Sequence, residues 1–273
     1  MLTLKKYILP YILLFFPTLL FAQSSESKAE FSATIAYQSL AHFLGRTDSL
    51  NTSVTVPIIS YKLKNGLYAQ TAGIFIKNDA IPFQYTGSTF ELGYQFMQND
   101  ANFSGNVYAT YFDYKEKSIV VKSALKYQVG ANTIIKSKII NVNPSFDLKF
   151  SDKTDVGLTL GFDHLFIAKL KQGFPRALAF DPTVTFYAGT QNFSESYQKN
   201  IGTGFIPIYQ TETKEVNKLS LLAIDCTLPI VLVLGKFNTF ITPSYVIPFN
   251  VLTNYGERGT SRFYFTAGVG IKL

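Results

Sequence analysis

The chain has 273 residues, with 25 Lys and Arg, 18 Asp and Glu, two His and a single Cys. Aromatic residues reach 15 %, all of them Phe or Tyr, while charged residues are only 16 %, well below the roughly one-quarter usual in soluble domains. One Cys excludes an internal disulfide framework, and the net charge of +7 comes without a basic run, zinc-ligand spacing or basic amphipathic helix, which excludes a nucleic-acid binder.

Taken in chain order, residues 1–22 read as a secretory signal peptide. Lys5 and Lys6 form a basic start, Tyr7 to Phe21 an apolar stretch, and Ala22 the cleavage residue. The stretch is short for a spanning helix, and Pro10 and Pro17 interrupt it. Residues 23–29 are expected to be a short polar periplasmic segment, too small for a plug or passenger domain. Residues 30–273 then make one β-structured unit.

The evidence for strands is alternation. From 141 to 150, Val142, Pro144, Phe146, Leu148 and Phe150 alternate with Asn141, Asn143, Ser145, Asp147 and Lys149. From 155 onward, Val156, Leu158, Leu160 and Phe162 alternate with Asp155, Gly157, Thr159, Gly161 and Asp163. Phe90, Leu92, Tyr94 and Phe96 alternate with Glu91, Gly93 and Gln95, and Phe263 to Leu273 repeat the pattern on odd positions. A period of two puts these sets on opposite faces of a strand. Sandwich strands run to about five or six residues. The runs here are longer, and a tilted strand of about ten residues crosses a hydrocarbon core. In lipid every backbone N–H and C=O must be paired within the protein, so such strands persist only in a closed barrel.

The spacing predicts strands near 30–42, 51–63, 67–78, 83–98, 101–115, 118–129, 138–150, 154–169, 177–189, 215–233, 236–250 and 260–273. The fold expected is all-β: a single closed transmembrane antiparallel β-barrel of about twelve strands in meander order. Lys64-Asn65-Gly66, Asn99-Asp100, Ser151-Asp152-Lys153 and Gly235 mark turns. With both termini periplasmic, the long connections 190–214 and 251–259 face outward and the turns at 64–66, 99–100 and 235 face the periplasm. Pro144, Pro182 and Pro243 fall inside strands in similar settings, Asn-Pro-Ser-Phe, Asp-Pro-Thr-Val and Thr-Pro-Ser-Tyr. Each removes a ladder donor, so a bulge or bend is expected there.

The same parity places Glu91, Asp147, Asp155, Asp163, Asp225 and Arg262 inside the barrel as lumen charges, together with Asp181, Lys122, Lys126, Lys149 and Lys272. The signs nearly balance, which favours pairing across the lumen. No catalytic residue, metal ligand or cofactor site is expected, because calcium-loop spacing, phosphate loops and nucleophile elbows are missing. His42 ends the first strand. His164 is followed by Leu165 and Phe166, so the His-x-Ser pattern of outer-membrane phospholipases is absent, and an interfacial place is expected for it. Cys226 lies in the apolar run Leu222 to Ile230 and reads as a small hydrophobe.

The last eight residues, Thr266-Ala-Gly-Val-Gly-Ile-Lys-Leu273, resemble the C-terminal β-signal of outer-membrane proteins at Thr266, Gly268, Ile271 and Leu273, although that signal often ends in an aromatic residue. The leader ending Phe21-Ala22-Gln23, the strands rich in Tyr and Phe and the many lysines resemble small outer-membrane barrels of the Bacteroidetes type. That resemblance implies location and fold. It also implies lipid, lipopolysaccharide and the barrel-assembly machinery as partners. A passive channel or small-solute transporter is the function expected, not an enzyme. The alternative is a non-conducting structural barrel serving as a subunit of an envelope complex.

Overall fold

A computed structural model describes residues 28–47, 51–97, 102–115, 125–151, 153–169, 177–192, 218–251 and 259–273. The leader at 1–22, the Asn99-Asp100 turn and most of the 190–214 connection lie outside the described residues.

The strands are β1 (Glu30–Gln38), β2 (Ser53–Lys62), β3 (Leu67–Lys77), β4 (Gln84–Phe96), β5 (Phe103–Tyr114), β6 (Tyr127–Ile135) and β7 (Asn141–Phe150). Three interrupted strands follow. They are β8 (Thr154–Asp163 and Phe166–Lys169), β9 (Ala177–Phe180 and Thr183–Gly189) and β10 (Ser220–Thr227 and Ile230–Leu234). β11 (Phe237–Pro248) and β12 (Arg262–Lys272) complete the set. Each strand pairs antiparallel with the next in sequence, and β12 returns to β1 from Ser32↔Lys272 to Gln38↔Thr266. The result is a closed twelve-stranded meander barrel without a free sheet edge. Backbone bonds continue the seam to the chain end, with Phe31 N–H on Leu273 O at 3.1 Å and Leu273 N–H on Phe31 O at 2.9 Å.

The alternation sorts the faces. Ile35, Ile59, Leu92, Tyr111, Phe146, Leu160, Phe237, Phe263 and Val269 are all exposed, Leu92 at 68 % and Phe263 at 65 %. Their strand neighbours point into the lumen and are mostly Ser, Thr, Asn, Gln, Gly and charged residues. Lumenal Val54, Val56 and Ile58 on β2 are the main apolar exception, opposite Gln38, Ala36 and Thr34 of β1.

Two strand assignments differ from the sequence pattern. The sixth strand is Tyr127–Ile135 rather than 118–129, of which 118–124 lie outside the described residues. Its inward side is Gln128, Gly130 and Asn132, a run of only three polar positions, and pairing with Thr110, Tyr108 and Asn106 of β5 sets its register. The first strand ends at Gln38, and His42 belongs to a separate small hairpin.

The prolines do interrupt the ladders. Pro144 pairs with Leu160 of β8, yet on its other side the ladder to β6 breaks between Asn132↔Ser145 and Ile135↔Val142 and resumes in the same register. Pro243 pairs with Phe265 of β12, while the ladder towards β10 stops at Ser244 and resumes at Ile241. Pro182 lies in the break of β9, and Pro229 in that of β10. The breaks adjoin, bridged by Asp181 N–H to Pro229 O and Leu228 N–H to Pro243 O, both at 3.0 Å. Missing donors at Pro182, Pro229 and Pro243 therefore line up across β9–β11, and the break of β8 at His164 and Leu165 continues the seam.

Turns behave as their residues require. Gly66 and Gly235 adopt positive φ, +93° and +69°, which glycine accepts without steric cost. Both turns lie at the end of the barrel that carries the chain termini, and the longer connections after β1, β9 and β11 leave from the other end.

Candidate functional site: the lumen and its outer mouth

At the end bearing the termini, Glu30 meets Lys272 at 2.7 Å and Lys62 at 3.5 Å. These are the first residue of β1 and the last of β12 and β2, so the ion cluster ties the closing seam to its neighbour.

From mid-wall towards the end bearing the termini, β3–β6 carry a polar network. Tyr68 donates its hydroxyl to Glu91 Oε1 at 2.8 Å, and Thr110 donates to Glu91 Oε2 at 2.8 Å. Asn106 donates to the Tyr68 hydroxyl at 3.0 Å, and Asn132 donates to Asn106 Oδ1 at 3.3 Å. Gln128 donates to the Tyr108 hydroxyl at 3.2 Å. The network depends on a missing side chain: a Cβ on Gly93 would run into the Tyr68 ring, which lies across that glycine to reach Glu91. Tyr108 covers Gly130 in the same way.

Of the lumen charges expected from parity, Lys122 lies outside the described residues, Asp181 sits in the break of β9 and Lys126 just before β6. Asp147 is ion-paired with Lys149 on its own strand. Asp163 accepts from Asn141 at 2.7 Å and from Asn143. Asp155 is 3 % exposed and accepts from Thr190 Oγ1 and the Asn192 N–H, each at 2.7 Å. Asp225 accepts the Tyr264 hydroxyl at 2.7 Å, and its other oxygen is buried without a partner. Arg262 shares a register row with Asp225 through Val246, and its Nε is likewise buried without a partner. Among the described residues, ion pairs hold only Glu30 and Asp147 of these acids, and Glu91, Asp163 and Asp225 rest on neutral hydroxyl and amide donors. Thr266 and Gly268 face inward, and Ile271 and Leu273 lie on the outer face. Gly268 also makes room for Phe240, whose Cζ would stand 2.6 Å from an added Cβ.

Sequence reasoning missed the first connection. Residues 42–47 form a hairpin, His42–Phe43 against Arg46–Thr47, that packs on the lumenal wall of β9–β12. Leu40 is 8 % exposed and clusters with Ala223, Val246 and Tyr264, with Leu44 and Tyr187 against them. The His42 ring meets Tyr264 edge-on at 4.3 Å. Arg46, 8 % exposed, donates to Gln191 Oε1 at 2.8 Å, Phe249 O at 3.1 Å and, at 3.4 Å each, Leu222 O and Asn250 O. Gly45 closes the turn at φ +77°, where a Cβ would stand 3.0 Å from Pro248. Burial pushes the His42 imidazole down to about 4, and its Nδ1 accepts the Gly45 N–H at 3.2 Å. Apolar Leu40, Phe43 and Leu44 inside an otherwise polar loop are the one sequence signal of this docking.

His164 sits at the break of β8, its Nδ1 2.6 Å from Ile139 O and its ring 4.5 Å from that of Phe166. Among the described residues no three His, Cys, Asp or Glu side chains group as a metal site.

The fold and site together define a small antiparallel barrel with an apolar outer wall, a polar lumen and a hairpin seated in one mouth. No family model matches the chain, and no curated protein matches it. Among solved structures it is similar to the KdgM porin, with 11 % identity, 88 % of this chain and 98 % of that one covered, and a TM-score of 0.49. It is similar to the NanC porin at 12 % identity, 89 % and 100 % coverage and a TM-score of 0.49. A third is an outer membrane channel from Pseudomonas putida F1, at 10 % identity, 93 % and 98 % coverage and a TM-score of 0.47. At such identity and overlap the likeness carries no function to this chain.

Proposed function

We propose that the chain is a bacterial outer-membrane barrel acting as a passive channel or small-solute transporter. The observation that carries this reading is the division of the wall. Large apolar side chains such as Leu92, Phe237 and Phe263 stand exposed on the outer face, and hydroxyl, amide and charged groups line the inside. A closed barrel satisfies its backbone internally and needs lipid, not water, against such a face. On this reading residues 1–22 are a cleaved signal peptide and 23–29 a periplasmic lead-in. Thr266, Gly268, Ile271 and Leu273 form the signal that barrel-assembly machinery reads, the partners are outer-membrane lipid and lipopolysaccharide, and the barrel is of the Bacteroidetes type.

One observation favours the second reading, a non-conducting structural barrel within an envelope complex: the hairpin at 42–47 occupies part of the outer mouth. Refolded chain from residue 23 onward, in a planar bilayer, separates the two. Steady unitary steps, with liposome swelling that falls off with sugar size, establish the channel. A folded barrel without either establishes the structural reading.

A further inference from the structure

Solutes that enter this barrel do not see a symmetric hole. The hairpin is seated on β9–β12 through Tyr187, Ala223, Val246 and Tyr264. In a closed twelve-stranded meander, the strands facing the middle of that set are six positions away, β4 and β5. These two, with β3 and β6 beside them, carry the Tyr68–Glu91–Thr110 network and its extension through Asn106. The wall that the hairpin leaves open is therefore the one rich in hydroxyl and amide groups.

We infer, resting on the channel reading, that the hairpin latched by Arg46 narrows the outer mouth to one side, and that solutes cross along the facing β3–β6 track, where Glu91 disfavours anions. Glu91 is the charge of this track that no Lys or Arg offsets among the described residues. Its oxygens are held by Tyr68 and Thr110, which fix the carboxylate against the wall and leave its charge in place. The Asp147–Lys149 pair on β7 is internally neutral, and Lys62 on β2 is paired with Glu30. Mid-strand placement puts Glu91 near the middle of the wall, below the hairpin, so a solute that has passed the mouth meets it next. Tyr68, Tyr108, Asn106 and Gln128 offer donors and acceptors at the spacing of neighbouring strands, which suits uncharged, hydroxyl-rich solutes. A like charge at about 4 Å costs an anion a factor of about five even in a water-like medium. The lumen is more confined than bulk water, and the effect there is at least of that order.

The docking is not a loose loop lying on the rim. Arg46 spends its guanidinium on the Gln191 side chain and on four backbone carbonyls, two from the connection after β11, one from β10 and one, Leu44 O, in its own hairpin. These acceptors belong to separate segments, so a single side chain holds the hairpin to the connection after β9 and to the rims of β10 and β11.

The test is swelling of proteoliposomes carrying the full barrel, with three solutes of matched size: a neutral sugar, its sugar-acid anion and its amino-sugar cation. Folding of every variant is checked by heat-modifiable gel mobility. The expected result is neutral and cationic solutes entering about fivefold faster than the anion. Glu91→Gln should bring the anion close to the neutral sugar, and Arg46→Ala should speed all three and admit larger sugars. Equal entry of anion and neutral sugar, or a Glu91→Gln barrel with the anion still excluded, overturns the role of Glu91. An Arg46→Ala barrel with unchanged rates and size limit overturns the latched mouth. If wild type and both variants are folded but silent to every solute, the channel reading and this inference fall together, an outcome distinct from conduction without charge preference.

Discussion

Arg46 donates to Gln191 at 2.8 Å across 145 residues of sequence, joining the connection after β1 to the connection after β9. The two carry no shared pattern. What brings them together is the closure of the barrel, which sets β1 beside β12 and leaves both connections at one rim. A guanidinium at 8 % exposure has to find acceptors, because an unmet buried donor costs about 1–3 kcal/mol and a charged one more. Arg46 finds them on backbone carbonyls, which are fixed by the strand ends and do not rotate away.

Because Arg46 is buried, trypsin should leave the folded barrel intact at this position, although the connection around it is otherwise a surface loop. Gly45→Val is expected to change that. Valine resists the positive-φ region that Gly45 occupies at +77°, and its Cβ would meet Pro248 at 3.0 Å. The hairpin should lift, and mass spectrometry of a brief digest should show a cut after Arg46 in the variant and none in wild type. A variant barrel that stays uncut would show that the hairpin is held without the tight turn.

Acid should loosen the same hairpin. The sign follows from His42: burial lowers its imidazole from 6.5 to about 4, so the seated hairpin binds its proton less readily than the released one. The seated form keeps its advantage above about pH 6.5 and loses it as the pH falls towards 4. Tyr264 and, through it, Asp225 face the ring, and Arg46 lies on the same hairpin. Protonation also ends the role of Nδ1 as acceptor for Gly45 N–H. Trypsin is inactive at such pH, so the readout is single-channel conductance or pepsin cleavage within 39–47. Both should rise between pH 6.5 and 4 in wild type. In His42→Phe, which keeps an aromatic ring on Tyr264, the rise should be lost.

The lumen network makes a separate prediction. Tyr68→Phe leaves the ring over Gly93 but removes the hydroxyl that joins Asn106 to Glu91. A partly buried carboxylate and an amide each lose a partner, so a loss of about 1–3 kcal/mol is expected, read as an earlier thermal transition in detergent. Gly93→Ala should cost at least as much, because its methyl competes with the Tyr68 ring for the same space. If Gly93→Ala melts with wild type, the ring does not depend on the glycine.

How far the sequence foretells this arrangement depends on the kind of relation. Parity is local, and Glu91, Asp147, Asp155, Asp163 and Asp225 stand on the inward side because each alternates with large apolar neighbours. Partners are not local. That Glu91 meets Tyr68 and Thr110 depends on registers across three strands, one of them shifted by an irregularity between Ile74 and Phe75. The sequence pattern places β6 too early because the apolar run before it imitates a strand while Gly130-Ala131-Asn132-Thr133 does not. The hairpin escaped altogether: six residues are too few for a period, and their docking rests on contacts with strands more than 140 residues away. Prolines were readable in position, but their alignment into one seam is a property of the closed sheet.

The sharpest test of the outer wall uses a residue whose side chain faces away from every network above. Leu92 follows Glu91 on β4, points the other way and is 68 % exposed. In water such a leucine would tolerate replacement by arginine, with an effect within about 0.5 kcal/mol as for surface sites generally. At mid-height of a lipid-facing wall the same change should cost about 2–4 kcal/mol. Gln70→Arg, on the lumenal side and one strand away, is the control, since a wet interior accepts charge. Reversible folding into phospholipid vesicles, followed by denaturant titration, gives both free energies. A large loss for Leu92→Arg beside a small one for Gln70→Arg would place the apolar face in lipid. Equal and small effects would mean that the exposed leucines, phenylalanines and valines face something other than a bilayer, and the channel reading would lose its footing with them.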